Sequence, residues 1–383
     1  MFYEHLPLQI VLFFTIYCIT GAVSLLAALY LLLRRGNAFA PDVTPPLRLR
    51  RWAASFFAII ALGHIWWFLF YLSSDGIFSE DELFHSSSYV AVVMLDYVTM
   101  QITIAGTLLA MLQDRRRPVW PVIAAMVPFV VMGVALMVKP SELLIQIASI
   151  YVVLVYVLFM VYVGFAVRHY GRWLLDNYAD LERKEVWLTL VLSLVFMLLI
   201  MSYTFMDMDT PVILYLGHVL ELAIVGLLLW RVETLPCLKR EGSDYTQDGE
   251  RAEELSTPLA FRRGLGNEAL AQIELMLKEL CVDKQLYLQH DLTLQQLAQA
   301  IGTNRSYLSQ YFSRQGITYN TYINNLRINH FINLYQELAA ADQPIVAQEL
   351  AQESGFRSYS TFGRAFMQRT GQSVTAWMRD AEG

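Results

Sequence analysis

Four ionisable side chains stand inside runs of sequence that are otherwise apolar: His64, Asp96, His218 and Glu221. Charge in such surroundings is costly, so these groups need partners or a role. His218 and Glu221, at i and i+3, share one face of a helix. Imidazole and carboxylate groups held together can exchange a proton, hold a cation or receive the polar part of a small ligand. The same residue types can instead make hydrogen bonds between helices that simply hold a bundle together. No stretch has metal-ligand spacing, so no metal or cofactor is expected. Cys18, Cys237 and Cys281 are scattered, without a CxxC pair, and imply no disulfide framework. P-loop, kinase-like, G-x-S-x-G and H-E-x-x-H signatures are absent, and the expectation is that the chain is not an enzyme.

The elements that would position these groups are long apolar helices. Hydrophobic residues make up 56% of the chain and charged residues 16%, against roughly 45–50% and about 25% in ordinary globular proteins. The excess is confined to residues 1–232. A bilayer core of about 30 Å needs about 20 apolar residues in a helix. Seven runs qualify: 8–33, 52–72, 88–112, 118–138, 142–167, 186–206 and 211–231. The first lacks a basic flank and is too long for a cleavable signal. Trp52, Trp120, Trp173, Trp187 and Trp230 gather near run ends, as interfacial anchors do.

Basic residues orient the runs. Arg34, Arg35, Arg48, Arg50, Arg51, Arg115, Arg116, Arg117, Arg168, Arg172, Arg183 and Lys184 occupy alternate loops, against Lys139 alone in the opposite ones. Asp75, Glu80, Asp81, Glu82, Asp207 and Asp209 lie on that opposite side. The positive-inside rule then predicts an outside N-terminus and a cytoplasmic C-terminus, in a multi-pass protein of the bacterial inner membrane. On that orientation the four ionisable residues lie about 7–10 residues, ~10–15 Å, below the outer surface.

Residues 233–266 carry Pro236, Pro258, several glycines and mixed charge, and read as a linker with a short helix around Asp248–Leu255. Amphipathic pattern resumes at Asn267, a candidate N-cap, with Leu270, Ile273, Leu277 and Leu280 on one face. The next stretch has the grammar of a helix-turn-helix. Thr293 can cap a first helix, Ala298 permits close approach, Gly302 suits a left-handed turn, and a second helix starts near Thr303 with Leu308 and Phe312 inward. The pattern recurs about 53 residues on: Leu297-Ala298 matches Leu350-Ala351, Gly302 matches Gly355, and Leu308/Phe312 correspond to Phe362/Phe366. Between the motifs, Tyr319–Leu338 reads as one long helix.

These strings resemble the AraC/XylS-type DNA-binding domain. The resemblance covers residues 267 to 379 and rests on Asp291-Leu-Thr-Leu, Tyr307-Leu-Ser, Gly316-Ile-Thr-Tyr, Tyr322 to Ile328, Ser354 to Phe366 and Thr370-Gly371. Val374 and Trp377 depart from it, where the family commonly has proline and tyrosine. The resemblance implies two helical subdomains on a long helix, each placing a recognition helix in the major groove, about 10 bp apart. By position, it assigns base reading to Arg305, Ser306, Ser309 and Gln310 in the first motif, and to Arg357, Ser360 and Arg364 in the second. Arginine suits guanine and glutamine suits adenine. Arg314, Arg327 and Arg369 remain as phosphate contacts or internal braces.

The expected fold class is all-α: a seven-span membrane domain (1–232), a linker (233–266) and a double helix-turn-helix domain (267–383). The expected function is a membrane-bound one-component transcription regulator controlled by a signal sensed in the membrane domain. Expected partners are double-stranded DNA, membrane lipid, a second copy of the chain, a small-molecule or proton signal, and RNA polymerase. The competing reading is a membrane enzyme, transporter or scaffold whose helix-turn-helix module binds protein. Nine Lys/Arg against eleven Asp/Glu in residues 266–383 predict weak non-specific DNA affinity.

Overall fold

The structure, a computed structural model, describes residues 8–34, 36–73, 86–203, 211–238 and 266–382. Arg35, the acidic residues at 75–82, Asp207, Asp209 and the short helix expected at 248–255 lie outside them. The described residues are all-helical. They group into two compact units: residues 1–168 with 186–238, and residues 169–185 with 239–383.

The first unit is built from the apolar runs. They form helices α1 (Leu8–Leu33), α2 (Leu47–Ser73), α3 (Ser87–Met111), α4 (Trp120–Val138), α5 (Glu142–Asn177), α6 (Trp187–Tyr203) and α7 (Pro211–Thr234). Six of them are long and apolar enough to cross a bilayer, whereas α6 is described over only 17 residues. The expected count of seven spans is therefore not reached among the described residues. Helix α2 packs against α1, α3 and α7, and α7 also packs against α1 and α6. Small residues allow the close approach that apolar helices need. A Cβ on Gly63 would sit 2.9 Å from Asp96 Oδ1, and one on Gly21 would sit 3.3 Å from His64. The outward faces carry large apolar side chains such as Leu26, Leu33, Phe68, Val131, Ile150 and Phe165.

The polar ends of this unit are tied together. Glu233, at the end of α7, accepts from the backbone N–H of Ala38 and Phe39 at 2.8 Å each and from the Tyr30 hydroxyl. Asn37 donates to the Glu233 carbonyl at 3.0 Å, and Gln113 donates to the Pro236 carbonyl at 3.0 Å. Arg117, counted above as a loop charge, is buried and bonded to Asp114 at 2.6 Å.

Helix α5 runs ten residues past its apolar stretch. The extension is amphipathic: Tyr170, Leu174 and Asn177 are buried at helical spacing, while Arg168 and Arg172 are exposed. The segment after Arg168 belongs to the second unit.

In that unit, α8 (Asn267–Met276) passes into a wide turn at Leu277–Asp283 and a 3-10 turn at Leu286–Leu288. Gly266, with extended backbone, is the N-cap, and Asn267 is the first helical residue rather than the cap. Then come α9 (Leu294–Ala300), α10 (Arg305–Arg314), α11 (Tyr319–Ala340), α12 (Ala347–Glu353), α13 (Tyr359–Thr370) and α14 (Val374–Glu382). Helix α11 serves two cores. Tyr319 and Ile323 join Leu297, Leu308 and Phe312, while Ile328 and Phe331 join Leu350, Phe362 and Phe366. The atypical residues of α14 pack well: Val374 is buried, and the Trp377 ring lies 5.0 Å from Tyr335 and 5.5 Å from Phe366. Burial pushes the Cys281 thiol up to about 12, so it is packing, not a nucleophile.

Candidate nucleic-acid interface and a polar cluster in the bundle

Each helix-turn-helix is set by local chemistry. Thr293 caps α9 by accepting from the Gln296 N–H at 3.2 Å, and Gln296 Oε1 accepts from the Thr293 N–H at 2.8 Å. Gly302 takes φ 71° at the turn. Asn304 then caps α10 by accepting from the Tyr307 N–H at 2.8 Å. In the second motif Gly355 takes φ 90°, and Ser358 caps α13.

The two turn glycines differ in their surroundings. A Cβ on Gly302 would meet nothing within 4 Å, but one on Gly355 would lie 2.9 Å from the Leu288 backbone. Gly302→Ala should therefore cost only left-handed strain, about 1–2 kcal/mol. Gly355→Ala adds a backbone clash and should be clearly worse. Pulse proteolysis of the full chain over a temperature series reads this; equal shifts for the two variants would refute it.

The residues assigned to base reading fall on α10 and α13, except Arg357, which stands in the turn just before the Ser358 cap of α13. Ser306, Gln310, Arg357, Ser360 and Arg364 are exposed, and Arg305 and Ser309 are half-buried. Arg305 is covered because its Nε donates to Asn177 Oδ1 at 2.8 Å. Arg364, 66% exposed, lies 3.7 Å from Glu185, and Arg357 donates to Asp291 at 2.8 Å. Asp291 also pairs with Lys184 at 3.2 Å. Burial alone would raise its carboxyl, but Lys184 and Arg357 together hold it below the usual carboxylate range.

Arg327 is a brace. It is 1% exposed, donates to the Tyr287 and Gln289 carbonyls at 2.8 Å each, and lies 5.6 Å from the Phe356 ring. Burial lowers its pKa, yet a guanidinium keeps its charge even so. Arg314 and Arg369 are exposed, and Arg369 borders a groove of about 220 Å³ with Asn325 and Gln368.

Sequence reasoning missed the segment 177–185, which it used only for counting charge. Asn320 on α11 donates its amide to the carbonyls of Tyr178 and Ala179, at 3.1 and 2.7 Å. The Ala179 N–H reaches the Leu292 carbonyl at 3.4 Å, Tyr178 bridges to Thr293, and the Ala179 methyl is buried in the first core. The available signal was the amphipathic continuation of α5 through Tyr170, Leu174 and Asn177.

In the bundle, three of the four ionisable residues meet. Glu221 Oε2 lies 3.1 Å from His218 Nδ1 and 3.7 Å from His64 Nε2. Tyr17, not foreseen, packs its ring 4.5 Å from that of His64 and donates its hydroxyl to the His64 carbonyl. Asp96 stands beside Gly63, next to this trio rather than in it.

Two helix-turn-helix motifs on one shared helix, each with arginines on its outer face, define a DNA-binding module of a transcription regulator. Residues 297–380 match the family model described as a helix-turn-helix domain, here of the AraC type. No curated protein and no solved structure matches the chain significantly.

Proposed function

We propose that the chain is a membrane-bound one-component regulator that binds promoter DNA through Arg305, Ser306, Ser309 and Gln310 of α10, Arg357 in the turn before α13, and Ser360 and Arg364 of α13. The observation that carries this reading is the placement of residues 169–185. They join two apolar helices, α5 and α6, yet they fold into the compact unit that holds the helix-turn-helix motifs. The apolar outward faces of α1 to α7 belong in lipid. The basic alternate loops support an outside N-terminus and a cytoplasmic DNA-binding unit.

The same segment supplies the control. With Asn177 on Arg305 and Glu185 near Arg364, one arginine of each motif is engaged by the loop instead of by guanine. A signal received in the bundle, at His64, Asp96, His218 and Glu221, changes the ends of α5 and α6 and so the hold on Arg305. The differential contact is small. One charge-assisted hydrogen bond is worth about 1.5–3 kcal/mol, enough to shift a two-state equilibrium by roughly tenfold or more.

Chromatin capture of the tagged full-length chain, beside Asn177→Ala, tests both parts. Sharp promoter peaks that grow stronger in Asn177→Ala are expected. A well-expressed protein with no peaks under any growth condition would sink the regulator reading and favour a membrane enzyme, transporter or scaffold.

A further inference from the structure

We infer that His64, His218 and Glu221 form a binding site for a divalent transition-metal ion of the zinc class, held between α2 and α7. The inference deepens the sensory reading above by naming the ligand, and the site itself stands on geometry alone.

The donor atoms of the three residues all lie within 4.8 Å of one another. Ligands of a tetrahedral zinc at about 2.0–2.1 Å sit about 3.3–3.5 Å apart. The two edges that meet at Glu221 Oε2, 3.1 Å and 3.7 Å, bracket that value. A small inward movement of His218 towards His64 closes the third edge.

The protonation of His64 makes the case sharper. Its Nδ1 lies 2.8 Å from the Ile60 carbonyl, which can only accept, so Nδ1 carries the hydrogen. In the neutral ring Nε2 is then a lone pair. That nitrogen is buried, has no hydrogen-bond partner, and faces a carboxylate oxygen 3.7 Å away. Two acceptors facing each other in apolar surroundings repel unless a proton or a metal cation lies between them. An Nδ1–H bonded to a backbone carbonyl, with Nε2 pointing at the ion, is also how metal-ligating histidines are commonly oriented. Tyr17 adds a wall against one face of the ring.

Ligand chemistry sets the class of ion. Two imidazoles and one carboxylate suit zinc and its first-row neighbours, whereas magnesium and calcium prefer oxygen donors. Three protein ligands leave a fourth position for water or an external ligand. A divalent ion would also neutralise Glu221, whose charge is costly at this depth.

The test uses the purified full-length chain in lipid nanodiscs, its purification tag removed, stripped with a chelator and titrated with Co²⁺ and then Zn²⁺. The expected result is one Co²⁺ per chain with the intense visible absorption of a four-coordinate N/O site, displaced by Zn²⁺. His64→Ala and His218→Gln should each weaken binding at least 100-fold, while Ser149→Ala, on α5 and bonded only within its own helix turn, should bind as the parent does. Zn²⁺ should raise the thermal midpoint of the parent and of Ser149→Ala only, which separates lost ligation from misfolding. The absence of stoichiometric Co²⁺ binding, or binding indifferent to His64 and His218, would overturn the site. A site that binds Zn²⁺ while promoter occupancy ignores Zn²⁺ would uphold the metal and refute only the sensory role.

Discussion

Replacing Arg305 and Arg364 together by alanine is expected to erase promoter occupancy while leaving the protein folded and in the membrane. The two side chains sit on different recognition helices, so their losses should add. A bidentate arginine–guanine contact is worth about 1–3 kcal/mol of discrimination. Two of them amount to about 2–6 kcal/mol, or roughly 30-fold to 20,000-fold in affinity. Neither residue supports the core: Arg364 is mostly exposed, and Arg305 bonds only to Asn177 among the contacts described. The measurement is the affinity of full-length protein in nanodiscs for a captured promoter and for scrambled DNA, across a salt series. Base reading predicts a collapse of the ratio between the two DNAs. A uniform loss on both, with the salt slope reduced by about two, would mean that these arginines hold phosphates instead.

Arg327→Ala should act in the opposite way, on the fold before the DNA. Its guanidinium satisfies the buried Tyr287 carbonyl and the part-buried Gln289 carbonyl in the segment leading to the first motif, and rests against Phe356 of the second. Removing it strands the Tyr287 and Gln289 carbonyls and opens a cavity, at about 3–5 kcal/mol together. Arg327→Lys should recover only part of this, since an ammonium cannot reproduce the planar fork. Pulse proteolysis of the full chain should show the C-terminal unit opening at much lower temperature or denaturant. A variant as stable as the parent, with only a shallower salt slope on DNA, would return Arg327 to the phosphate role that its position in the motif had left open.

Arg327 also marks where the sequence stops being legible. Its neighbours alternate buried and exposed on a helix of ordinary pattern, and nothing local distinguishes a brace from a phosphate contact. What settles it is Tyr287, 40 residues away. Features decided by nearest neighbours read well. Apart from the C-terminal end of α5, the ends of the apolar helices fall within about five residues of the runs, and Thr293 caps α9 with the help of Gln296. The cap fails where backbone conformation rather than side-chain type decides, as with Gly266 against Asn267. Distant pairings were out of reach. Asn177 lies 128 residues from Arg305, and His64 and His218 come from different helices. The polar residues of the bundle could be singled out by cost alone, but cost did not say that Asp96 stands apart or that Tyr17 joins.

The DNA-binding unit is discontinuous in the chain, and that has a consequence for how it is made. Its first piece, residues 169–185, leaves the ribosome before α6, α7 and the linker, and well before Ala269 can join Ala179 in their common core. At about 5–20 residues per second the early piece waits several seconds for its counterpart. The unit therefore closes only after the preceding helices have been synthesised, so folding of the reading head follows synthesis of the apolar helices. A fragment cut out at the linker carries neither the alanine that fills that core nor the asparagine that covers Arg305. Proteolysis there would release a different molecule from the one the full chain holds: less complete, and with its first recognition helix uncovered.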